Sequence, residues 1–235
     1  MDRVAGFIKS ELMGWNRFEK FFIFLLLPLI IILSVTAKDN YVATIHAVFG
    51  LLATIIAGKG KISCYFFGIV ANICYSVLTF KNALYGNLLL NLCYYLPMQF
   101  VGIFCWSKNL KKENNEIIKT FLNKKERIIL YSITILASII LGFILKSFND
   151  QFPFTDAFST VLSIVGMYLT VRRCIEQWII WTIVNALTVI MWFFIFANGG
   201  RTFATLIVWL VYLFLGIYFL FQWKKELSED LKTQQ

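Results

Sequence analysis

The chain has 235 residues, of which 59% are hydrophobic and 15% charged, and its formal net charge is +9. Soluble globular domains carry about 25% charged residues, so this balance excludes one. It also excludes a nucleic-acid binder, because the basic residues lie between apolar runs, where membrane topology accounts for them.

Several of those runs approach or exceed the roughly 20 residues that cross a bilayer. In chain order they are Phe18–Val35, Tyr41–Ala57, Ile62–Phe80, Leu84–Trp106, Ile128–Phe148, Phe154–Val171, Ile175–Ala197 and Phe203–Trp223. Helices are expected throughout, since the runs are long and unbroken and open sheet edges find no partners in lipid. The first run is long and no small-residue cleavage motif follows it, so no cleavable signal peptide is expected. The longest polar stretch, Ser107–Arg127, reads as a loop and not as a soluble domain.

Eight spans put both termini on one side. Only Lys38, Lys81, Lys146 and Arg201 of the 22 basic residues then fall on the other side. That asymmetry predicts an inner or plasma membrane protein with both ends in the cytoplasm.

The chain also repeats itself. "FFGIVANICYSVL" (Phe66–Leu78) resembles "IIWTIVNALTVIM" (Ile179–Met191) at a shift of 113 residues, pairing Asn72 with Asn185 and Tyr65 with Trp178. The preceding runs pair at the same shift, Gly50 with Ser163 and Ala53 with Gly166, and the following runs pair Gly102 with Gly216 at 114. The expected organisation is an extra span over residues 1–37, a three-helix bundle over 38–107, a loop and connecting helix over 108–150, a second bundle over 151–223 and a tail over 224–235. One connecting helix restores orientation, so the two triplets run parallel. Parallel repeats are a transporter architecture with its site near the membrane midplane.

The polar residues inside the spans fall in stripes. At 100° per residue, Trp178, Trp181, Asn185, Thr188 and Trp192 lie within an arc of about 80°. Asn91, Tyr95, Gln99, Gly102 and Trp106 share one side of their run, with Pro97 placed to bend it. Tyr65, Gly68, Asn72, Tyr75 and Thr79 do so on another, and Thr205, Trp209, Tyr212 and Gly216 on a fourth. Each residue also has a plainer reading. Tryptophans near span ends gather at headgroups, a membrane asparagine bonds a neighbouring helix for about 1 kcal/mol, and tyrosine stripes pack. Trp181 lies two turns inside its span, and Asn185 follows it on the same face, which favours a ligand-facing role for both.

No Asp or Glu lies deep in the six repeat spans; Asp156 and Glu176 are near ends, although either could line a pathway together with His46. Coupled carriers commonly place carboxylates at depth. A lining of Trp, Tyr, Asn and Gln suits a flat, hydroxyl-bearing ligand that is neutral or weakly cationic: rings stack on it and attract positive charge, and amides meet it as donor and acceptor. His46 is the single histidine and no CxxC pair occurs among the five cysteines, so no metal site is expected and the cysteines read as small packing residues. With no HExxH, no Ser–His constellation and no cofactor motif, the chain is not expected to be an enzyme or to hold a cofactor. A non-transporting scaffold subunit stays open as a reading of another class.

"WIIWTIVN" at Trp178–Asn185 has the W-x-x-W-x-x-x-N form of the PnuC family of vitamin and nucleoside-precursor transporters, and "YYLPMQFVGIFCW" at Tyr94–Trp106 resembles the corresponding helix there. The resemblance covers about Tyr41 to Trp223, including the three-plus-one-plus-three layout. It implies a fold like a full-length SWEET sugar transporter, a homotrimer, and facilitated diffusion of nicotinamide riboside trapped inside by a cytosolic kinase. It also implies that Trp178 and Trp181 flank the substrate ring and that Asn185 and Gln99 bond its polar groups. Asn72, Tyr95 and Tyr212 are added from the stripes. Relatives in the family carry thiamine or riboflavin. Thiamine is also flat, cationic and hydroxylated, so the lining itself leaves both open. Gln99 beside Pro97–Met98 favours nicotinamide riboside.

Overall fold

The computed structural model describes residues 11, 14–36, 40–81, 85–111, 115–148, 153–198 and 203–233. Arg3, Lys9, Lys38, Lys112 and Arg201, which enter the charge asymmetry, lie outside the described residues, as does the start of the fourth run at Leu84. Helices fill the described chain: α1 (Arg17–Thr36), α2 (Tyr41–Gly58), α3 (Cys64–Lys81), α4 (Tyr85–Leu90), a π turn (Asn91–Tyr95), α5 (Leu96–Ser107), α6 (Lys124–Ser147), α7 (Pro153–Val171), α8 (Glu176–Ala197) and α9 (Phe203–Thr233). Eight helical stretches among the described residues are long and apolar enough to cross a membrane, and they correspond to the eight expected runs. The only extended pairings among the described residues are two isolated bridges, Leu110 with Ile117 and Thr120 with Cys174. The protein is an all-helical, multi-pass membrane protein.

Two runs differ from expectation in instructive ways. The fourth is interrupted: the Leu96 N–H reaches back to the Asn91 carbonyl, a five-residue step, and the turn widens. Pro97 follows at once and has no N–H to close an ordinary turn onto Cys93. The last helix does not stop at Trp223 but runs on to Thr233. Beyond Trp223 the residues are good helix formers with charges four apart; Gln222 Nε2 donates to Glu226 Oε1 at 3.0 Å and Lys225 lies 4.0 Å from Glu229.

The chain divides into two compact units, Met1–Ile118 and Lys119–Gln235. In the first, α2 packs along α3, α1 against α2, and α3 receives α4, the π turn and α5. In the second, α6 packs on α7, α7 on α8 and α8 on α9. Each unit has its own ion pairs with at least one buried partner. Lys59 pairs with Glu19 at 3.3 Å and Lys61 with Glu116 at 4.0 Å in the first. In the second, Arg127 pairs with Glu176 at 2.6 Å, and Lys119 pairs with Glu226 while lying over the Trp223 ring.

The 113-residue shift has a backbone counterpart. Gly60 (φ 72°) and Arg173 (φ 62°) are both left-handed, and they occupy matching places in the turns α2–α3 and α7–α8. In the first unit the Gly60 carbonyl accepts from Ile117 N at 2.9 Å; in the second the Arg173 carbonyl accepts from Thr120 N, also at 2.9 Å. The stretch read as a loop is thus anchored by backbone bonds, and Ile117 and Leu122 within it are buried. Of the cysteines, Cys64 and Cys174 are buried packing residues as expected, whereas Cys93 is exposed on the π turn.

Candidate functional site

In the first unit the polar stripes of α3 and of the α4–α5 stretch face each other. Asn91, 1% exposed, donates Nδ2 to the Asn72 carbonyl and to Ser76 Oγ, both at 2.7 Å. Further along, the Gln99 amide lies over Gly68: a Cβ built there would stand 2.7 Å from Gln99 Oε1. Gly68 is therefore small because an amide occupies its place. Asn72 sits one turn from Gly68 on the same face, and its buried Nδ2 has no hydrogen-bond partner among the described residues. Buried polar groups are nearly always satisfied, so this donor is an exception within the stripe. Tyr95, half-buried, lies edge-on to Tyr94 with ring centroids 5.3 Å apart.

Two neighbours complete this region. His46 Nδ1 stands 3.0 Å from the Ala71 carbonyl, and the His46 ring stacks on Tyr75 at 5.2 Å. Tyr65 is buried and meets Trp106 edge-on at 4.9 Å, lying so close to α5 that a Cβ at Gly102 would fall 2.1 Å from its ring.

In the second unit the stripe of α8 is aromatic. Trp178 is 3% exposed, enclosed by Phe219 at 5.1 Å and Trp223 at 5.7 Å on α9. Its Nε1 is buried with no partner among the described residues. Trp181 instead turns toward α7, where its indole lies over Gly166 and Nε1 donates to Thr170 Oγ1 at 3.2 Å. The two indoles, three residues apart, thus lean on different helices. Asn185 is 8% exposed, one turn beyond Trp181 on the same helix. Tyr212 on α9 is half-buried against Trp209, ring centroids 5.7 Å apart. Thr182 and Thr188 spend their hydroxyl hydrogens on the carbonyls four residues back, at 2.6 Å and 2.9 Å.

The structure therefore gathers Asn72, Asn91 and Gln99 on one face of the first unit, and Trp181 and Asn185 along one helix of the second. Sequence reading left out Thr170, the acceptor for Trp181. Gly68 stands in a polar stripe and Gly166 in the repeat pairing, but nothing in a sequence says which side chain a glycine makes room for.

No group of three or more His, Cys, Asp or Glu suited to a metal ion occurs among the described residues. Glu176 is 1% exposed at the start of α8; its Oε1 accepts from Leu122 N at 3.1 Å and from Arg127. That is a structural role at a helix end, outside the stripes.

The family described as "Nicotinamide mononucleotide transporter" matches residues 40–225 of this chain. The chain belongs to the PnuC family. It is 31% identical over 223 residues to the nicotinamide riboside transporter PnuC of Neisseria mucosa, covering 92% of this chain and 85% of that protein. It is 27% identical over 225 residues to the PnuC of Haemophilus influenzae, covering 94% and 96%. Its fold matches a solved structure, "Crystal structure of the Vitamin B3 transporter PnuC", with a TM-score of 0.81 and 30% identity over 95% of this chain and 98% of that one. All-helical architecture and membrane placement thus agree with the PnuC resemblance read from Trp178–Asn185 and Tyr94–Trp106.

Proposed function

We propose that this chain is a transporter that takes up nicotinamide riboside by facilitated diffusion. The observation that carries the reading is the α8 stripe: a half-buried indole at Trp181 and, one turn on, a buried Asn185 amide. A flat cationic pyridinium gains from an indole face, and its amide and ribose use an Asn or Gln in both senses. In the second unit Trp181 and Trp178 would meet the ring, Asn185 its polar groups, and Tyr212 would add a contact; in the first unit Gln99, with Asn72 and Tyr95, carries the polar-contact reading. The relatives named above are described as nicotinamide riboside transporters, which supports the same cargo here.

The family description names the mononucleotide, and the stripes argue against that cargo for this chain. Between Gln177 and Ala197, between Tyr85 and Ser107, and between Cys64 and Phe80 there is no Lys or Arg. A phosphate carried into those faces would lose its water and gain no cation. The same stripes hold no carboxylate, which supports uncoupled movement by alternating access. Phosphorylation by a cytosolic kinase would then trap the product, with both termini in the cytoplasm and the protein a homotrimer, as the family resemblance implies.

The test is uptake by purified protein in liposomes. Nicotinamide riboside should equilibrate with the outside concentration, unaffected by proton or sodium ionophores, and the mononucleotide should not compete. Competition by thiamine alone would replace the cargo. Accumulation above the outside level, collapsing with an ionophore, would refute uncoupled transport. Absence of both uptake and binding by folded protein would favour a scaffold role.

A further inference from the structure

Trp181 is held by a short relay on α7. The Thr170 hydroxyl donates its one hydrogen to the Gly166 carbonyl at 2.9 Å, which leaves its lone pairs to accept from the Trp181 indole N–H at 3.2 Å. The indole ring lies against the same glycine: a Cβ on Gly166 would come within 2.9 Å of indole Cε2 and 3.1 Å of Cζ2. One residue thus supplies the hydrogen-bond anchor and another the flat seat. Indole has a single donor and no acceptor, so the relay uses all of its hydrogen-bonding capacity.

We infer that Thr170 and Gly166 are positioning residues that fix the orientation of Trp181 and leave it only its ring face for a ligand. This rests on the reading of Trp181 as a substrate contact. The relay explains how one tryptophan is held at an angle its own helix does not dictate. It also makes Trp181 a selector for flat, electron-poor rings and blind to hydrogen-bonding groups.

The experiment is calorimetric titration of the purified full chain with nicotinamide riboside. Thr170→Val removes the acceptor at nearly constant volume and should weaken affinity about three- to tenfold. Thr170→Ser keeps the hydroxyl and should bind within about twofold of the parent. In a double-mutant cycle, Thr170→Val should add nothing once Trp181→Phe has removed the indole N–H. Equal losses for Val and Ser, or a Thr170→Val loss that persists in the Trp181→Phe background, would show packing and overturn the inference. Full affinity in folded Thr170→Val would overturn it as well. Trp181→Ala separates the two readings. If it leaves affinity intact, the substrate-contact reading fails first; if it weakens affinity while Thr170→Val does not, the positioning inference fails alone.

Discussion

The two units carry matching turns and matching helices, yet their polar faces differ in kind. At the position where α8 has Trp181, α3 has Gly68, and the space over that glycine holds the Gln99 amide from α5. At the position where α8 has Trp178, α3 has Tyr65, which meets Trp106 much as Trp178 meets Trp223. Asn72 and Asn185 are the shared element. The comparison teaches that stretches aligned by one shift carry an amide-rich face in one unit and an indole-rich face in the other. In both, a glycine on a neighbouring helix makes the side chain fit.

The largest test of that contrast is on ligand affinity. Trp181→Ala should weaken nicotinamide riboside binding by about ten- to a hundredfold, the range of a stacked aromatic contact. Gln99→Ala should cost about three- to tenfold, the range of one hydrogen bond. Titration of both variants decides, and a greater loss for Gln99→Ala would break the assignment of stacking to the second unit.

Next comes packing. Gly102→Ala puts a methyl into the buried Tyr65 ring, 2.1 Å from its nearest carbon, and should destabilise the folded protein by about 1–3 kcal/mol. Gly216→Ala meets the smaller Thr182 hydroxyl at 2.8 Å and should cost less. Thermal unfolding in detergent orders the pair, and equal shifts would show that the two notches are packed alike.

A smaller effect sits in the turns. Gly60→Ala forces a Cβ into a left-handed conformation and should cost about 1 kcal/mol. Arg173→Gly should stay within about 0.5 kcal/mol, because relief of strain and added unfolded-state freedom oppose each other. Melting temperatures of the two variants sharpen or blunt the claim that the turns are equivalent.

The smallest effect is a slope with pH. Burial pushes the Lys61 ammonium below its ordinary value, against the opposing pull of Glu116 and Glu11. The unfolded chain then holds that proton more tightly than the folded one. Stability should rise with pH between the lowered folded value and the ordinary value of about 10.4. Lys61→Met should flatten that rise in unfolding curves taken at alkaline pH up to about 10.4. An unchanged slope would assign it to another group.

Much of this was legible in the sequence because lipid is a demanding solvent. It forces every backbone group into helices, so eight runs could be counted, and it makes each polar residue stand out, so Asn72, Asn185, Gln99 and Trp181 could be picked by face. The shift of 113 residues surfaced again as two left-handed turns. What stayed hidden depends on which neighbour approaches. A stripe gives the direction of Trp178 and Trp181 to within a helix face, not that one leans on α9 and the other on α7. Pro97 announced a bend but not that it would take the form of a π turn. Thr170 lies on a different helix from the indole it holds, and no spacing rule links them.

The stretch from Glu116 to Leu122 has a practical side for anyone tagging or cutting this protein. Read by composition, it looks like the natural place for an epitope or a protease site. Yet Glu116, Ile117, Lys119 and Leu122 are all buried, and the N–H groups of Ile117, Thr120 and Leu122 are bonded to Gly60, Arg173 and Glu176. An insertion there would sever several anchors at once, whereas the exposed end of α9 near Lys232 offers a handle that disturbs none of them.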